Sequence, residues 1–464
     1  MIMVMNKIDL PTADVDRVKR EIEADLRARF AGQDSSALDG YGPIPAYSAY
    51  YRTFRKTYHV LGQLRSVIFE GKSIPSVVAL VGPCSRAKKS GRRDVCLIAT
   101  EVPVPSAGVF TTSATAAPPV LLSREHCASG LLRAIVVNAG NANACTGAPG
   151  MDAARAMAEA TAAALDCEPI DVAVCSTGVI GVPLPVDLVS AGVAEAAGAL
   201  DTTGGDAAAE AIMTTDTFAK QLAISVTTDG RTFTVGGMAK GSGMIQPNMA
   251  TMLAFITTDA PLTPAACDAL LRLSVARSFN RITVDSDTST NDTCILMASG
   301  AEGGPVLEEG SAAYSAVASA ILEVATALAK MVVRDGEGAT KFVTVTVRGA
   351  ASESDAEKAA FAIANSPLMK TALFGQDANW GRVAMAIGKS GAHLDPNAFE
   401  IIFAGILTCK DGTAVAFDEA EAAVALAAPE IDVLVDLHVG DGEATVWTCD
   451  FSYDYVRING DYRS

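Results

Sequence analysis

Val235-Gly-Gly-Met-Ala-Lys-Gly-Ser-Gly-Met-Ile-Gln-Pro-Asn-Met-Ala-Thr-Met-Leu-Ala-Phe255 is the stretch on which the reading of this chain turns. Four glycines and a serine fall between Gly236 and Gly243. Glycine serves where a backbone takes positive φ or comes close to a ligand. Pro247 and Asn248 mark a turn, and Thr251 to Ile256 is an apolar, strand-like run. A threonine therefore sits where a glycine-rich loop enters a buried strand. In mid-chain its hydroxyl is a poor nucleophile. At a chain terminus it gains an α-amine whose ordinary pKa is about 7.7 to 8.0. That amine takes the hydroxyl proton near neutral pH, so one residue supplies nucleophile and base. Such a site needs no histidine partner. The chain has only four histidines, His59, His126, His393 and His438, none in a catalytic motif. By composition alone, Thr251 reads more readily as an ordinary strand residue.

Working outward, short β-branched runs alternate with alanine-rich helical runs from Ser90 onward. Cys96 to Ala99, Ala134 to Val137, Val172 to Val174, Phe342 to Val347 and Ile431 to His438 read as strands. Met151 to Leu165, Ala265 to Ser278 and Ala312 to Lys330 read as helices. The second of these has Thr263 as N-cap and Pro264 at its first position. Such mixing predicts an α/β or α+β layered fold, and periodicity does not choose between them. Residues 1–70 differ in character. They are polar and rich in aromatics, with an amphipathic pattern over Lys19 to Phe30 and a turn-rich stretch over Gly40 to Tyr51.

Composition bounds the function. Half of the 464 residues are hydrophobic and the net charge is −17. A nucleic-acid binder would carry a basic face, so no nucleic-acid partner is expected. No uninterrupted apolar run reaches the roughly 18 residues of a membrane span. There is no secretory or transit pattern at the start of the sequence, and a cytoplasmic protein is expected. The 10 cysteines are scattered, without C-x-x-C pairs, and read as reduced thiols. Zinc-ligand spacings are missing, and no metal is expected. Asp285-Ser-Asp-Thr-Ser-Thr-Asn-Asp begins like a calcium loop but lacks the glycine and glutamate that an EF-hand needs. No G-x-S-x-G elbow or dinucleotide fingerprint occurs.

Lys240-Gly-Ser-Gly-Met-Ile, followed by Pro247-Asn-Met-Ala-Thr-Met-Leu, resembles the self-cleavage site of the ornithine acetyltransferase family, the bifunctional glutamate N-acetyltransferases of arginine biosynthesis. Other blocks agree in order: Gly108-Val-Phe-Thr-Thr, Ala117-Pro-Pro-Val-Leu-Leu-Ser, Asn138-Ala-Gly-Asn-Ala-Asn-Ala-Cys-Thr-Gly, Ser176-Thr-Gly-Val-Ile-Gly and Met213-Thr-Thr-Asp-Thr. Asp335-Gly-Glu-Gly-Ala-Thr-Lys, Gly375-Gln-Asp-Ala-Asn-Trp-Gly-Arg and Tyr455-Val-Arg-Ile-Asn complete the set. The resemblance runs from about Lys88 to the end.

This resemblance implies the layered sandwich of the self-processing ornithine acetyltransferases. It implies a cut between Ala250 and Thr251, giving an α chain of residues 71–250 and a β chain of residues 251–464. The freed Thr251 would accept acetyl from N-acetylornithine and pass it to glutamate, with acetyl-CoA as a donor in some members. Thr177 and Gly178 match oxyanion positions, and a Ser-Thr-Gly turn offers a hydroxyl and a backbone N–H. Thr214, Lys240, Thr251, Glu337, Asn459 and Ser464 match substrate-binding positions. N-acetylornithine presents a carboxylate and a δ-ammonium, roles that Lys240 and Glu337 could fill. By themselves these two residues read as solvated surface charges. Ser464 stands where threonine is usual, and Ala219 where proline is usual. The family assembles as two α and two β chains and needs no cofactor.

Residues 1–70 fall outside the resemblance. Val4-Met-Asn-Lys-Ile-Asp-Leu-Pro is similar to the guanine-recognising motif of translational GTPases, but the chain has no phosphate loop. An atypical N-terminal extension is expected over residues 1–70, either a GTPase-derived fragment or a disordered segment. Two alternatives stand beside the acetyltransferase. One is an N-terminal-nucleophile aminopeptidase or amidohydrolase that releases the acyl group to water. The other is an unprocessed, non-catalytic binding protein.

Overall fold

The β-branched runs after Ser90 form two sheets, and the alanine-rich runs form the helices that cover them. The computed structural model describes residues 78–82, 93–246 and 252–461. The patterns at Lys19–Phe30 and Gly40–Tyr51, the turn at Pro247 and Asn248, and Ala250, Thr251 and Ser464 lie outside the described residues.

The first sheet is built from β1 (Val78–Gly82), β2 (Val95–Phe110), β3 (Leu131–Asn141), β4 (Val172–Val179), β5 (Lys220–Thr228), β6 (Arg231–Lys240), β7 (Leu253–Thr258) and β8 (Thr293–Ala298). Its order is β4-β3-β2-β8-β7-β6-β5, with β1 paired to β2. The sheet is mixed. β3 and β4 run parallel, as do β7 and β8, and the other pairs are antiparallel. Parallel neighbours need a crossover connection. Of the helices that follow, α1 (Pro118–His126) packs on β4, and α2 (Gly147–Leu165) makes the crossover from β3 to β4. α3 (Val186–Gly198) packs on α2, and α4 (Gly205–Ala211) leads into β5. α5 (Pro264–Arg277) carries the chain from β7 to β8, and its N-cap hydroxyl Thr263 accepts from the Ala266 amide at 3.1 Å, as expected.

The long helix α6 (Ala312–Arg334) packs across β5 and β6. Val317, Ile321, Val324, Leu328 and Val332 recur at helical spacing and are fully buried. Burial of each such side chain contributes about 1.5–3 kcal/mol. Gly237 makes this approach possible. A Cβ there would stand 2.9 Å from Val324 and 3.0 Å from Leu328. Among the described residues α6 is the one helix long and apolar enough to cross a membrane, but its apolar stripe forms the core of this layer.

The second sheet has the order β12-β11-β10-β13-β9-β14. Its strands are β9 (Phe342–Ala350), β10 (Glu400–Phe403), β11 (Ile406–Lys410), β12 (Thr413–Ala414), β13 (Glu430–Asp436) and β14 (Gly442–Cys449). α7 (Glu353–Ala364) packs on β9 and β14, beside α8 (Pro367–Phe374) and α9 (Trp380–Gly388). α10 (Glu419–Leu426) precedes β13, and α11 (Tyr453–Asp461) follows β14. The expected strand Ile431 to His438 stops at Asp436. His438 takes a φ of 53°, and its amide turns back to the Asp436 carboxylate at 3.2 Å. The strand expected from Thr251 begins at Leu253, where pairing with Lys240 and Thr293 starts.

Candidate active site

The end of β4, the end of β6 and the start of β7 converge on a cavity of about 190 Å³. Thr177, Gly178, Thr214, Lys240, Glu337 and Asn459 all line it. Thr251 is joined to Met252, which also lines it. The structure thus brings together every described site residue that the sequence singled out.

β4 delivers Thr177 and Gly178. Gly178 has a φ of +132°, in the region that favours glycine, and a Cβ there would run into the backbone of Gly140 and Asn141. The Asn291 side chain fixes this turn from beneath. Its amide donates to the Ser176 carbonyl at 2.9 Å and to the Ala142 carbonyl at 2.6 Å.

Lys240 ends β6 opposite Leu253. Its Nζ donates to Thr177 Oγ1 at 3.1 Å and to Thr214 Oγ1 at 2.8 Å. It is 8% exposed and Glu337 is 7% exposed, so neither is the solvated surface charge that its isolated position suggested. Burial pushes Lys240 below the ordinary lysine range, and the charge of Asp216 works against that shift.

A chain of buried groups sets the positions of Thr214, Lys240 and Glu337. The Asp216 carboxylate accepts from the Thr214 amide at 2.9 Å, the Gly241 amide at 2.7 Å and Lys220 Nζ at 2.7 Å. Lys220 also donates to Asp335 at 2.5 Å. Ser242 then donates to the Asp335 carbonyl at 2.5 Å, and the Glu337 amide donates to the Ser242 carbonyl at 3.0 Å. Burial tends to raise Asp216, but the charges of Lys240 and Lys220 and its hydrogen bonds hold it at about 2.

Glu337 accepts from Asn459 Nδ2 at 2.9 Å, which ties α11 to the cavity. Gly243 leaves room for the Glu337 carboxyl, which a Cβ there would displace. Asp285 shapes the same loop by accepting the Met244 and Ile245 amides at 2.6 and 2.7 Å. Tyr455 lines the cavity and stacks on Phe451 at 4.4 Å. Among the described residues no group of three or more His, Cys, Asp or Glu is placed to hold a metal ion.

Sequence reading passed over Asp216, Lys220, Asp285, Asn291, Asp292 and Asp335. Two of them sat inside quoted blocks, Asp216 in Met213-Thr-Thr-Asp-Thr and Asp335 in Asp335-Gly-Glu-Gly. Asp285, Asn291 and Asp292 lay in the stretch dismissed as a calcium loop. Its polar density was a signal of a site wall rather than of a metal.

The ArgJ family model matches residues 81–464. Among curated relatives, the arginine biosynthesis bifunctional protein ArgJ of Symbiobacterium thermophilum is 52% identical over 396 residues, covering 85% of this chain and 98% of that protein. The protein of the same name from Geobacter sulfurreducens is 52% identical over 378 residues, covering 81% of this chain and 96% of that protein. A solved structure of the Bacillus halodurans protein of that name is 42% identical, with a TM-score of 0.45, covering 46% of this chain and all of that chain. With the family model matching most of its length and relatives 52% identical over nearly their whole length, the chain belongs to the ArgJ family.

Proposed function

We propose that Thr251 is the nucleophile through which this acyltransferase of arginine biosynthesis moves acetyl from N-acetylornithine to glutamate. The observation that carries the reading is the convergence of Thr177, Gly178, Thr214, Lys240, Glu337 and Asn459 on one cavity at the entry to β7. The chain cuts itself between Ala250 and Thr251. The new terminal amine takes the hydroxyl proton, and the oxygen attacks the acetyl carbonyl. The Thr177 hydroxyl and Gly178 N–H receive the oxyanion. Ornithine leaves, and the amine of glutamate takes acetyl from the threonine ester.

The polar groups fit such substrates. Lys240 gives two of its donors to threonine hydroxyls and keeps one for a substrate carboxylate. Glu337, held by Asn459, suits the δ-ammonium of N-acetylornithine. Thr214 and Ser464 complete the substrate contacts. Acetyl-CoA serves as a second donor, and the scheme needs no cofactor. The working enzyme is cytoplasmic, with residues 71–250 as α chain and 251–464 as β chain, assembled two and two. Residues 1–70 are an extension outside this scheme. The ArgJ match favours neither a peptidase nor a non-catalytic binding protein.

Intact mass measurement and an acetyl-transfer assay test this together. Wild type gives two chains separating at Ala250 and Thr251, and Thr251→Ala gives one chain with no transfer. Ornithine release that ignores glutamate points to the hydrolase instead. A single uncut wild-type chain overturns the reading.

A further inference from the structure

Among the residues of the cavity wall that have no part in the scheme above is Asp292. Asp292 immediately precedes β8, and the parallel register pairs Leu253 with Thr293. Asp292 therefore stands at the level of Met252, the residue that follows Thr251. The backbone here is held on both sides. The Asp292 carbonyl accepts from the Thr111 amide at 2.9 Å, and the Thr293 amide donates to the Met252 carbonyl at 3.0 Å. The side chain is 1% exposed and lines the cavity with Thr177 and Lys240.

Its hydrogen bonding is lopsided. The Ser289 hydroxyl and amide and the Met252 amide serve the carboxyl group, yet Oδ2 is buried with no hydrogen-bond partner among the described residues. Only one other buried side-chain polar atom among those residues, Ser106 Oγ, is left in that state. An unpaired buried carboxylate is costly, and the group responds by keeping its proton. Burial accordingly pushes Asp292 well above the ordinary carboxyl range, against the charge of Lys240. The other charged groups facing this cavity are Asp285, Asp287 and Glu337.

The first cut needs a group of this kind. After the cut, Thr251 has a terminal amine to take its hydroxyl proton. Before the cut that nitrogen is an amide and is no base. A proton must nevertheless leave the hydroxyl as its oxygen bonds to the Ala250 carbonyl carbon. A proton must also reach the nitrogen as the carbon–nitrogen bond breaks. The amide becomes an ester and an amine with no outside reactant. Water then opens the ester, giving its OH to Ala250 and a proton to the threonine oxygen. Lys240 Nζ is already engaged by two hydroxyls, those of Thr177 and Thr214. A neutral carboxylic acid can accept on one oxygen while donating from the other.

We propose that Asp292 carries the proton from the Thr251 hydroxyl to the departing Thr251 nitrogen during the self-cut. This rests on the reading of Thr251 as nucleophile. The test follows the cut fraction over time, by intact mass, in freshly purified full-length wild type, Asp292→Asn, Asp292→Glu and Asp292→Ala. Asp292→Asn should cut on the order of 100-fold more slowly than wild type. Asp292→Glu should cut at an intermediate rate. Formate added to Asp292→Ala should speed its cut, which a merely structural role for Asp292 would not allow. If Asp292→Asn is insoluble, the Glu variant and the formate response decide. Asp292→Asn cutting at the wild-type rate overturns the proposal, and so does an Asp292→Ala chain indifferent to formate. A wild-type chain that never cuts sinks the Thr251 reading instead, so the two failures are distinct.

Discussion

Lys220 and Lys370 are among the largest fully buried side chains of the fold, and they are neutralised in opposite ways. Lys220, at the start of β5, lies between two carboxylates, Asp216 at 2.7 Å and Asp335 at 2.5 Å. Lys370, in α8, meets neutral acceptors: the Thr448 hydroxyl at 2.5 Å and the Cys449 carbonyl at 2.7 Å. The Phe451 ring lies 4.9 Å from its nitrogen. Burial pushes Lys370 below the ordinary lysine range, with the nearby acids working against it. The difference separates two jobs. Around Lys220, fixed charges of both signs hold the loops that carry Thr214, Lys240 and Glu337. Around Lys370, dipoles clamp α8 to the end of β14, from which the chain runs on to α11. One region shapes the field of the cavity, and the other sets the direction of a chain segment.

The sharpest way to break this contrast is Lys220→Met. It removes the direct ion-pair partner of both Asp216 and Asp335, leaving Asp216 only the charge of Lys240, and losing one partner of a buried charge network costs about 3–5 kcal/mol. Urea unfolding should show that loss, and acetyl transfer should fall with it because Asp216, which anchors the Thr214 and Gly241 amides, loses its ion pair. If Lys370→Met proves as damaging, the distinction between the two lysines is wrong.

Acidification probes the same network more gently. The folded Asp216 carboxyl titrates at about 2, below its ordinary value of 3.8. The unfolded chain therefore takes up that proton first as pH falls. The stabilisation is complete above the unfolded value and is lost as pH drops toward the folded one. It amounts to about 2 kcal/mol. Melting temperature measured from pH 5 down to 2 should fall more steeply in wild type than in Asp216→Asn. Parallel curves would remove Asp216 from the account.

Lys370→Met should cost less than Lys220→Met. It strands a hydroxyl and a carbonyl but no directly bonded carboxylate, for about 1–3 kcal/mol. Urea midpoints of the two methionine variants, measured side by side, give the ratio directly.

How much of this was legible beforehand depended on whether the signal was local. The N-cap at Thr263 and the strands from Cys96, Ala134 and Phe342 were readable, because caps and apolar runs act on near neighbours. The choice of Thr251 was not. Its loop-to-strand setting is common, and ordered motif blocks were needed to single it out. Lys220 stayed hidden because its partner Asp335 is 115 residues away, and only folding brings an isolated lysine between two acids. Asp292 was hidden for a related reason. An aspartate in a polar stretch looks solvated until a neighbouring strand covers it. Lys240 and Glu337 would have been misread in the same way without the resemblance.

The smallest effect concerns α11, where both regions meet. None of its side chains is buried, and Tyr453 and Val456 are largely exposed. A few contacts hold it: Asn459 with Glu337, the ring of Tyr453 against Phe374 and, just before the helix, Ser452 with the Gly338 carbonyl. Asn459→Ala removes one hydrogen bond to a charged acceptor, which is worth about 1.5–3 kcal/mol when fully formed. Half-burial and water replacement reduce that, so KM for N-acetylornithine should rise about five-fold, close to 1 kcal/mol. The melting temperature should barely move, because the helix contributes no core. Asn459→Asp should raise KM further, since a second carboxylate then faces Glu337. If both variants lower kcat and leave KM alone, Asn459 acts on the chemistry rather than on Glu337. The segment clamped by Lys370 would then reach the reacting atoms, and the division of labour between the two regions would have to be redrawn.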